Sequence, residues 1–442
     1  MRAETFLREV ALPVSTSEAF AWHARPGALE RLLPPWNDVH VLSRAVGLEN
    51  GARVELSVPF GPLRWKWLAE HRDVEPPRQF RDVSLRGPFP LWDHLHRFEP
   101  RGAAECTLVD RIEYACPCGL LGRVFGGGHA RRELQRMFRY RHATTAADLA
   151  MHAQYANRPR MKVAVTGASG LVGSALLHLL TTGGHQVIAL RRDASNRIDV
   201  APADGADAVV HLAGENIASH RWSARRKQRI LDSRVKVTSR LCDDLLKLAN
   251  PPGALLAASA VGFYGNRGDE RLRETSARGE GFLSEVCVAW EEAARAVCGA
   301  GLRVASLRFG VILSPRGGAL RLMLPAFRLG AGGRIGCGDQ MMSWITLDDA
   351  VSAVHHVLMN DGLSGPVNVV APEPVSNAEF ATTLARVLWR PSLVPMPAMV
   401  IKGALGEMAD ALLLSSQRVL PGMLGDTGFA FRHADLETGL RH

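Results

Sequence analysis

The chain is poor in the features that mark secreted or membrane-spanning proteins. Its seven cysteines are an odd, scattered set, and the only close pair, Cys116-Pro-Cys118, does not have the spacing of a zinc ribbon. The N-terminus lacks the apolar core of a signal peptide. No apolar run is long and uncharged enough to span a bilayer, since Lys402 and Glu407 interrupt the best candidate. We therefore expect a cytoplasmic protein with reduced thiols and no membrane insertion.

Basic runs and an interleaving of basic with aromatic residues are also absent. The 442 residues carry 53 Lys and Arg against 44 Asp and Glu, and the net charge of +9 is spread thinly along the chain. Thinly spread charge is typical of a solvated surface, so we expect no nucleic-acid partner. What the chain does have is length and an apolar content of 47%, which together predict two or three well-buried domains.

The most informative segment is 162–173, which reads KVAVTGASGLVG. A short apolar run, three glycines and an apolar helix-like segment follow one another, as in the βα unit that binds dinucleotides. The first glycine allows a sharp turn, the second lets backbone N–H groups approach a pyrophosphate, and the third lets the helix pack closely on the strand. The predicted cofactor contacts in this turn are Gly167, Ala168, Ser169, Gly170, Leu171, Val172 and Gly173.

The end of the next predicted strand indicates which dinucleotide is bound. An NAD-binding protein carries an acidic residue near this point, to hold the ribose 2′-hydroxyl. Here the strand 186–190 ends in Arg191 and Arg192, whose guanidinium groups suit a 2′-phosphate. We therefore predict NADP(H) as the cofactor. The alternative is that both arginines form a solvated loop pair.

Further apolar strands alternate with helical segments through the rest of this half of the chain. The strand 207–214 ends in small residues, Leu212, Ala213 and Gly214, against which a cofactor can lie. The alternation predicts an α/β Rossmann-type, doubly wound parallel sheet. By comparison with the family that this half of the chain resembles, described below, the stretch between Arg192 and Asp207 is short, which implies a reduced third strand.

The first 150 residues show a different pattern. One strand, a helical segment over 15–33, six further strand-like stretches and a long helix over 130–151 predict an antiparallel sheet wrapped round a helix. This pattern resembles the START-like superfamily of SRPBCC domains, an α+β helix-grip fold, and implies a module with an apolar ligand. The alternative is a filled core with no ligand. His94 and His96 share one strand face, but without a third ligand we predict exposed or cavity-lining histidines and no metal site.

Longer motifs in the second half resemble the atypical, extended short-chain dehydrogenase/reductases, and within them the group called the epimerase family. The resemblance covers nearly all of 161–442 and predicts four parts. They are a START-like domain over 1–150, a linker over 151–160, an NADP-binding Rossmann domain over 161–390 and a small C-terminal extension over 391–442. The motifs are 166–173, HLAGENI at 211–217, SAVGFYG at 259–265, RFGVIL at 308–313, SWITLDD at 343–349 and NVVAPEP at 368–374.

One departure from the wider superfamily puts the usual chemistry in doubt. Classical members use Tyr-x-x-x-Lys, in which the tyrosine exchanges a proton with the substrate and the lysine lowers its pKa. The four tyrosines of this chain have Cys, Thr, Pro and Gly four positions later, and the helix where the pair belongs, 282–290, has neither residue. Carbonyl reduction by that route is therefore not supported.

Two residues near the same strand end remain as candidate catalytic groups. Ser259 closes a strand where the superfamily places its substrate-orienting hydroxyl, and Tyr264 follows in a glycine-bounded turn. Our hypothesis is that Tyr264 exchanges the proton and Ser259 orients the substrate; the alternative is that both only pack or contact ligand. By resemblance, Glu215, Arg221 and Arg308 join the cofactor contacts. The alternatives are helix capping for Glu215 and surface charge for Arg221.

The sequence therefore leaves more than one function open. The leading interpretation is an NADP(H)-dependent oxidoreductase or epimerase-like enzyme acting on a small substrate. The alternative is a non-catalytic NADPH-binding or sensing protein, and a third interpretation is a lipid or polyketide binder with the Rossmann half as a scaffold. We also predict a flexible loop over the substrate cleft at 330–338 and helix capping by Asp348 and Asp349.

Overall fold

The computed structural model describes residues 3–45, 47–60, 63–116, 119–195, 197–392 and 394–442. The chain divides into two compact units, here called the N-terminal unit (Met1–Pro159 with His178–His185) and the C-terminal unit (Arg160–Leu177 with Gln186–His442). Among the described helices, none combines the length and the apolarity needed to cross a bilayer. The described cysteines are free thiols, namely Cys106, Cys116, Cys242, Cys287, Cys298 and Cys337.

The N-terminal unit contains a seven-stranded antiparallel sheet with the strand order β1-β7-β6-β5-β4-β3-β2. Strands β2 to β7 pair with their neighbours in the chain, and β1 pairs with β7. The strands are β1 (Glu4–Leu12), β2 (His40–Arg44), β3 (Arg53–Phe60), β4 (Leu63–Glu75), β5 (Gln79–Arg86), β6 (Leu91–Pro100) and β7 (Cys106–Ala115).

Three helices accompany this sheet: α1 (Thr16–Ala24), α2 (Ala28–Leu32) and α3 (Gly119–Ala153). The helical segment predicted over 15–33 forms two short helices, because Pro26 cannot continue α1 and Gly27 adopts a left-handed conformation (φ 97°). Helix α3 also continues to Ala153, three residues into the predicted linker. Phe138 of α3 packs on Phe6 of β1, with ring centroids 5.3 Å apart. The sheet therefore grips a long helix, as in the predicted helix-grip fold.

The C-terminal unit is built on a six-stranded parallel sheet. Its strand order is β17-β13-β11-β10-β8-β9, so the chain leaves β8 on one side for β9 and returns on the other side for β10. Ligands of such sheets bind at this reversal, outside the carboxyl ends of the strands. The strands are β8 (Lys162–Thr166), β9 (Gln186–Ala189), β10 (Ala208–His211), β11 (Ala254–Ala260), β13 (Arg303–Phe309) and β17 (Gly365–Val369).

Helices connect these strands and extend the unit towards the C-terminus. The strands β8 and β10 are almost wholly buried, which is the reason they read as continuous apolar runs. The helices are α4 (Leu171–Thr182), α5 (Ala224–Asp232), α6 (Val235–Leu245), α7 (Phe282–Arg295), α8 (Gly318–Arg328), α9 (Leu347–Met359), α10 (Asn377–Val387), α11 (Ala398–Leu405), α12 (Glu407–Ala409), α13 (Gly422–Asp426) and α14 (Leu436–Arg441).

Short ladders complete the unit: β12 (Arg271–Leu272) with β19 (Arg418–Val419), β14 (Val311–Leu313) with β16 (Trp344–Thr346), and β15 (Met341–Met342) with β18 (Val375–Ser376). Between β9 and β10 the described residues contain an isolated bridge and one 3₁₀ turn but no strand. This agrees with the expectation that the third strand, between Arg192 and Asp207, is reduced.

Candidate functional site

The glycine turn after β8 has the geometry that its spacing predicts. Gly167 adopts a left-handed conformation (φ 69°), and a Cβ there would lie 2.9 Å from the backbone N of Ala213. Only glycine therefore allows the turn to run this close to the chain that leaves β10. Ser169 and Gly170 are exposed residues just before α4 begins at Leu171, and the Gly170 N–H donates to the Gly167 carbonyl oxygen at 2.9 Å within the turn. This is the arrangement that receives a phosphate group.

The third glycine fixes the distance between helix and turn. A Cβ on Gly173 would lie 2.2 Å from the carbonyl oxygen of Gly167 and 2.9 Å from the Cα of Ala168. Both atoms belong to the backbone, so no side-chain movement could relieve the overlap. The first turn of α4 therefore packs directly against the glycine turn 167–170, here called the cradle. The cradle keeps its shape only with glycine at position 173.

The two arginines that follow β9 lie at the same sheet edge as the glycine turn. Val165 of β8 is paired with Ala189 of β9, so the residues that follow both strands emerge side by side. Arg191 and Arg192 are exposed. The nearest acidic residue in the chain, Asp193, accepts a hydrogen bond from the backbone N of Arg197 at 2.9 Å, so it is engaged within its own loop.

A buried polar chain links the ends of β8 and β10. The Thr166 hydroxyl lies 2.7 Å from Nδ1 of His211, whose Nε2 lies 3.0 Å from the Thr238 hydroxyl. The indole N–H of Trp290 donates to the same Thr238 oxygen at 2.9 Å. Burial, and secondly the charge of Arg192, lowers the pKa of His211 to about 4, so the ring is neutral near pH 7. These hydrogen bonds link the paired ends of β8 and β10 next to the glycine turn.

The small residues after β10 stay accessible. Leu212 and Ala213 are half-buried and Gly214 is exposed. Glu215 comes next, and its carboxylate accepts a hydrogen bond from Arg226, a buried side chain that also contacts the Asn216 carbonyl oxygen. Glu215 therefore forms an ion pair with Arg226. It does not cap α5, because the N-cap residue of that helix is Ser223.

Arg221 is an exposed residue on the segment between β10 and α5. A Cβ placed on Gly406 would lie 2.9 Å from its Nε, so the guanidinium rests close to the backbone at the end of α11. Gly406 has a left-handed conformation (φ 63°), as expected of the residue that ends a helix.

Ser259, Arg308 and Tyr264 are brought together, but inside the protein. Ser259 and Arg308 are opposite each other on β11 and β13, and both contact Glu291 of α7. The Ser259 hydroxyl donates to Glu291 at 2.7 Å, and Nε of Arg308 donates to the same carboxylate at 2.8 Å. Nη1 of Arg308 donates to the Tyr264 hydroxyl at 2.9 Å, and that hydroxyl donates to Oδ1 of Asn368 at 2.8 Å.

All members of this network are shielded from solvent. The exposed fraction is 3% for Ser259, 3% for Arg308 and 0% for Tyr264. Burial, only partly offset by Arg308, raises the pKa of Tyr264, so its hydroxyl is protonated near neutral pH. Arg308 also lies 3.5 Å from the centre of the Phe263 ring, which covers the guanidinium.

Sequence reasoning missed the two residues that organise this network, Glu291 and Asn368. Glu291 is a charged residue on the buried face of α7, next to Trp290, and that placement is a usable signal. Asn368 lies inside the NVVAPEP motif, at the one polar position of an otherwise buried strand β17. Only the folded sheet shows that both face Arg308.

Helix α7 carries Leu283 and Cys287 on the side that faces the end of β11. A Cβ on Gly262 would lie 3.2 Å from the Cβ of Leu283 and 3.7 Å from the Cys287 sulfur. Burial, and secondly the Glu291 carboxylate, raises the pKa of the Cys287 thiol to about 11, so the thiol is neutral. Beside Gly262, α7 therefore presents the apolar side chain of Leu283 and the neutral thiol of Cys287.

Two further expectations are changed by the structure. Asp348 and Asp349 do not cap α9, because Thr346 does: its hydroxyl accepts from the Asp349 backbone N at 3.1 Å. Asp349 instead accepts hydrogen bonds from the backbone N of Arg432 and of His433. The glycine-rich loop 330–338 is fastened by backbone hydrogen bonds to Met396, in both directions, at 2.8 and 2.9 Å.

In the N-terminal unit His94 and His96 are buried, which excludes the exposed one of the two predicted alternatives, exposed or cavity-lining side chains. They share one face of β6, as predicted, and Asp82 supplies a third group with metal-ligand chemistry nearby. Burial lowers the pKa of His94 to about 4. Burial alone would also lower the pKa of His96, but the Asp110 and Asp82 carboxylates raise it to about 9.

The fold and the glycine cradle define a dinucleotide-binding protein of the short-chain dehydrogenase/reductase type. Residues 163–371 match the family model described as the NAD dependent epimerase/dehydratase family. Residues 12–139 match polyketide cyclase / dehydrase and lipid transport, and residues 396–442 match a domain of unknown function. The chain belongs to the epimerase family, because it is 42% identical over 283 residues to an epimerase family protein of Mycobacterium bovis. That alignment covers 61% of this chain and 93% of the relative.

Two solved structures are similar to this chain. The nucleoside-diphosphate sugar epimerase of Corynebacterium glutamicum is 32% identical with a TM-score of 0.80, and the match covers 98% of this chain and 89% of that one. The human epimerase family protein SDR39U1, solved with NADPH, is 34% identical with a TM-score of 0.60. That match covers 64% of this chain and 98% of the human chain.

Proposed function

We propose that the C-terminal unit binds NADP(H) and uses it in an oxidoreductase or epimerase-like reaction on a small substrate. The observation that carries this proposal is the exposed pair Arg191 and Arg192 after β9, beside a glycine turn whose shape admits no side chain at position 173. The similarity to human SDR39U1, which was solved with NADPH, supports the same cofactor.

The arginine pair distinguishes NADP(H) from NAD(H) by charge. A 2′-phosphate presents oxygens to two cationic donors, and charge-assisted hydrogen bonds of this kind contribute roughly 1.5–3 kcal/mol each. The nearest acidic residue in the chain, Asp193, has one carboxylate oxygen engaged by the backbone N of Arg197. The site thus favours a phosphorylated ribose.

Parallel fluorescence titrations with NADPH and NADH test the cofactor proposal. We expect Arg191→Ala and Arg192→Ala each to weaken NADPH binding by about 10- to 100-fold and to leave NADH binding nearly unchanged. The matched control is Arg197→Ala, which removes the same charge from an arginine that pairs with Asp244. Equal losses in all three variants, or equal wild-type affinity for the two cofactors, would contradict the proposal.

For the chemical step we propose that Tyr264 exchanges a proton and that Ser259 orients the substrate. Both residues follow or close β11, whose carboxyl end lies at the ligand-binding edge of the sheet. Because Tyr264 is protonated near neutral pH, it acts as a donor in the direction of reduction. Substrate access to its hydroxyl requires the 3₁₀ turn 261–264 to move, since the side chain is fully buried.

Nucleoside-diphosphate sugars are the first substrates to test, because the Corynebacterium relative carries that description. The assay follows NADPH absorbance and product epimers over a panel of such sugars and small carbonyl compounds. We expect Tyr264→Phe and Ser259→Ala to reduce turnover at least tenfold, and Tyr155→Phe, outside the C-terminal unit, to leave it unchanged. Turnover unaffected by Tyr264→Phe would remove the catalytic assignment.

A second candidate function, a non-catalytic NADPH-binding or sensing protein, is favoured by one specific observation. Ser259 and Tyr264 already have hydrogen-bond partners in a network that is closed to solvent. A sensor would be stabilised by NADPH more than by NADP⁺ and would show no turnover with any member of the panel. Turnover of any panel compound by the wild-type protein, lost in Tyr264→Phe, would exclude the sensor.

For the N-terminal unit we propose an apolar ligand held between the sheet and α3. The support is the match of residues 12–139 to polyketide cyclase / dehydrase and lipid transport proteins, together with the helix-grip fold. Solvent extraction of purified protein followed by mass spectrometry tests this. A stoichiometric apolar compound supports the proposal, and a clean extract together with no binding of fluorescent fatty acids contradicts it.

A further inference from the structure

The N-terminal unit buries a group of ionisable side chains that the proposed function does not use. We call it the histidine–aspartate cluster. Its members lie on four adjacent strands, β4 to β7, and on helix α3, and most are hidden from solvent. They are His71, Asp82, His94, His96, Asp110 and His142.

Strand register explains why these residues converge. Asp82 of β5 is paired with His94 of β6, and His96 of β6 is paired with Asp110 of β7. Directly opposed residues point to the same face of a sheet, and so do residues two apart on one strand. Two histidines and two aspartates therefore lie in a zigzag across β5, β6 and β7 on one face, although they are spread over 29 positions of the chain.

Three of these side chains have the spacing of metal ligands. Asp82, His94 and His96 each offer one ligand atom, and these atoms all lie within 4.8 Å of one another. Nε2 of His96 is 3.4 Å from Oδ2 of Asp82. Ligand atoms held tetrahedrally at about 2.0–2.1 Å from one Zn²⁺ ion are about 3.3–3.4 Å apart. That separation is long for a hydrogen bond but fits two ligands on the same ion.

The surroundings hold these ligands in place. Nε2 of His94 lies 2.9 Å from Oδ1 of Asp110, and Nδ1 of His71 lies 2.5 Å from Oδ1 of Asp82. Phe80 stacks on His96 with ring centroids 4.2 Å apart. Carboxylates behind ligand histidines orient the rings and are the usual outer partners of a bound metal. His94 thus engages Asp110 through Nε2, while Nε2 of His96 faces the Asp82 carboxylate.

Two imidazole nitrogens of the cluster make no hydrogen bond of acceptable geometry among the described residues. Nδ1 of His96 approaches Oδ1 of Asp110 to 2.7 Å, but outside the angular range of a hydrogen bond. Nδ1 of the buried His142 has no hydrogen-bond partner among the described residues. Among the described residues, the ion-pair partners of Asp82 and Asp110 are all histidines. Arg141 forms no ion pair with either carboxylate, but burial lowers its pKa and both carboxylates raise it, so a cation also lies near the cluster.

We propose that Asp82, His94 and His96 bind one divalent first-row transition-metal ion, with at least one coordination position left for water or a small ligand. Two histidines and one carboxylate form a set that suits Zn²⁺ and Fe²⁺. The Asp82 side chain keeps 28% of its surface exposed, against 3% for His94 and 8% for His96. The ion therefore enters past Asp82.

The test uses the full chain, stripped with a chelator and then given Zn²⁺ alone. Calorimetry and elemental analysis after gel filtration measure affinity and stoichiometry. We expect one tight site per chain that is weakened at least tenfold in Asp82→Asn and in His94→Gln. The matched controls are Asp38→Asn and His40→Gln, an exposed aspartate–histidine pair 3.0 Å apart, which should bind Zn²⁺ as the wild type does.

A second measurement keeps the proposal testable if His94→Gln does not fold. Asp82→Asn changes a partly exposed side chain, and Co²⁺ in the wild-type protein should show the visible absorption of a four- or five-coordinate ion. A spectrum of hexaaqua-type Co²⁺, or Zn²⁺ binding that persists in Asp82→Asn, would overturn the proposal. NADPH titrations of the same samples should be unchanged, since the cofactor residues belong to the other unit.

Discussion

Arg308 and Glu291 form a buried two-pronged ion pair, in which Nε and Nη2 of the guanidinium each donate to one carboxylate oxygen at 2.8 Å. Burial alone would lower the pKa of Arg308, but the hydrogen bonds to Glu291 raise it. The pair ties β13 to α7, the helix on which the resemblance to short-chain dehydrogenase/reductases predicts a Tyr-x-x-x-Lys pair. In this chain the same helix carries Glu291, the ion-pair partner of Arg308. The Arg308 guanidinium is therefore engaged inside the protein and is not exposed at the cofactor cradle.

Removing the carboxylate from this pair should strongly destabilise the C-terminal unit. We expect Glu291→Gln to lower the free energy of unfolding by about 3 kcal/mol, because the Arg308 charge is left buried without a counter-ion. Urea unfolding measures the change. The transition of the C-terminal unit is identified as the one that moves to a higher urea concentration when NADPH is added. The control is Glu292→Gln, one residue further along α7 and exposed, which should stay within about 0.5 kcal/mol of wild type. Similar losses in both variants would argue against a special role for the pair.

The cradle should not tolerate a single added methyl group. Gly173→Ala places a Cβ against the Gly167 carbonyl oxygen, so the turn must move and NADPH affinity should fall at least tenfold. Overpacking of this kind also destabilises, by roughly 1–3 kcal/mol. Gly299→Ala is the comparison, since its Cβ would meet no atom within 4 Å. An unchanged NADPH dissociation constant in Gly173→Ala would show that the cradle is not the binding site.

His211 should make the C-terminal unit sensitive to acid. Its pKa is about 4 in the folded state, against 6.5 when unfolded, so the unfolded chain takes up a proton first as the pH falls. Stability is therefore full above pH 6.5 and declines through pH 4, by about 3 kcal/mol for this group. The charged neighbour that contributes is Arg192.

Unfolding curves between pH 8 and pH 4 measure this dependence. His211→Gln has no proton to take up at this position, so its stability should fall less steeply with acid than that of the wild type. His220→Gln, at an exposed histidine, should keep the wild-type slope. Parallel curves for His211→Gln and wild type would contradict the buried neutral imidazole.

Cys287 should resist alkylation in the native protein. The thiolate is the reactive form, and a pKa of about 11 together with burial leaves almost none of it accessible at pH 8. Iodoacetamide should label the exposed Cys298 and Cys337 within minutes and Cys287 only after unfolding. Mass spectrometry of digested protein reads out each site. Labelling of native Cys287 as fast as Cys298 would place the thiol in an open site instead.

Features encoded within short stretches of the chain could be predicted from the sequence. The turn at 162–173 and the arginines after β9 follow from local spacing, because strand, glycine turn and helix are consecutive. The first strand and the six strand-like stretches predicted after it are present as β1 to β7, since period-two alternation is a local signal. The helical spacing over 15–33 is a local signal as well, and Pro26 and Gly27 between α1 and α2 are a recognisable stop signal.

Features that depend on distant residues could not be predicted. Glu291 meets Ser259 across 32 positions, and Asn368 meets Tyr264 across 104, so neither partner is visible in the chain's local pattern. The third potential ligand beside His94 and His96 was missed for the same reason: Asp82 is on another strand, and only strand register places it there. Burial of Tyr264 likewise results from packing of whole elements.

The strand order of the N-terminal unit has a consequence for synthesis on the ribosome. Its first strand, β1, hydrogen-bonds along its whole length to β7, the last strand to be made. The hairpins from β2 to β6 can form as they emerge, but β1 must wait about a hundred residues for its partner, and contacts of such long range slow folding. A nascent chain stalled before β7 thus exposes an unpaired edge, and this unit becomes a native fold only after most of α3 has left the exit tunnel.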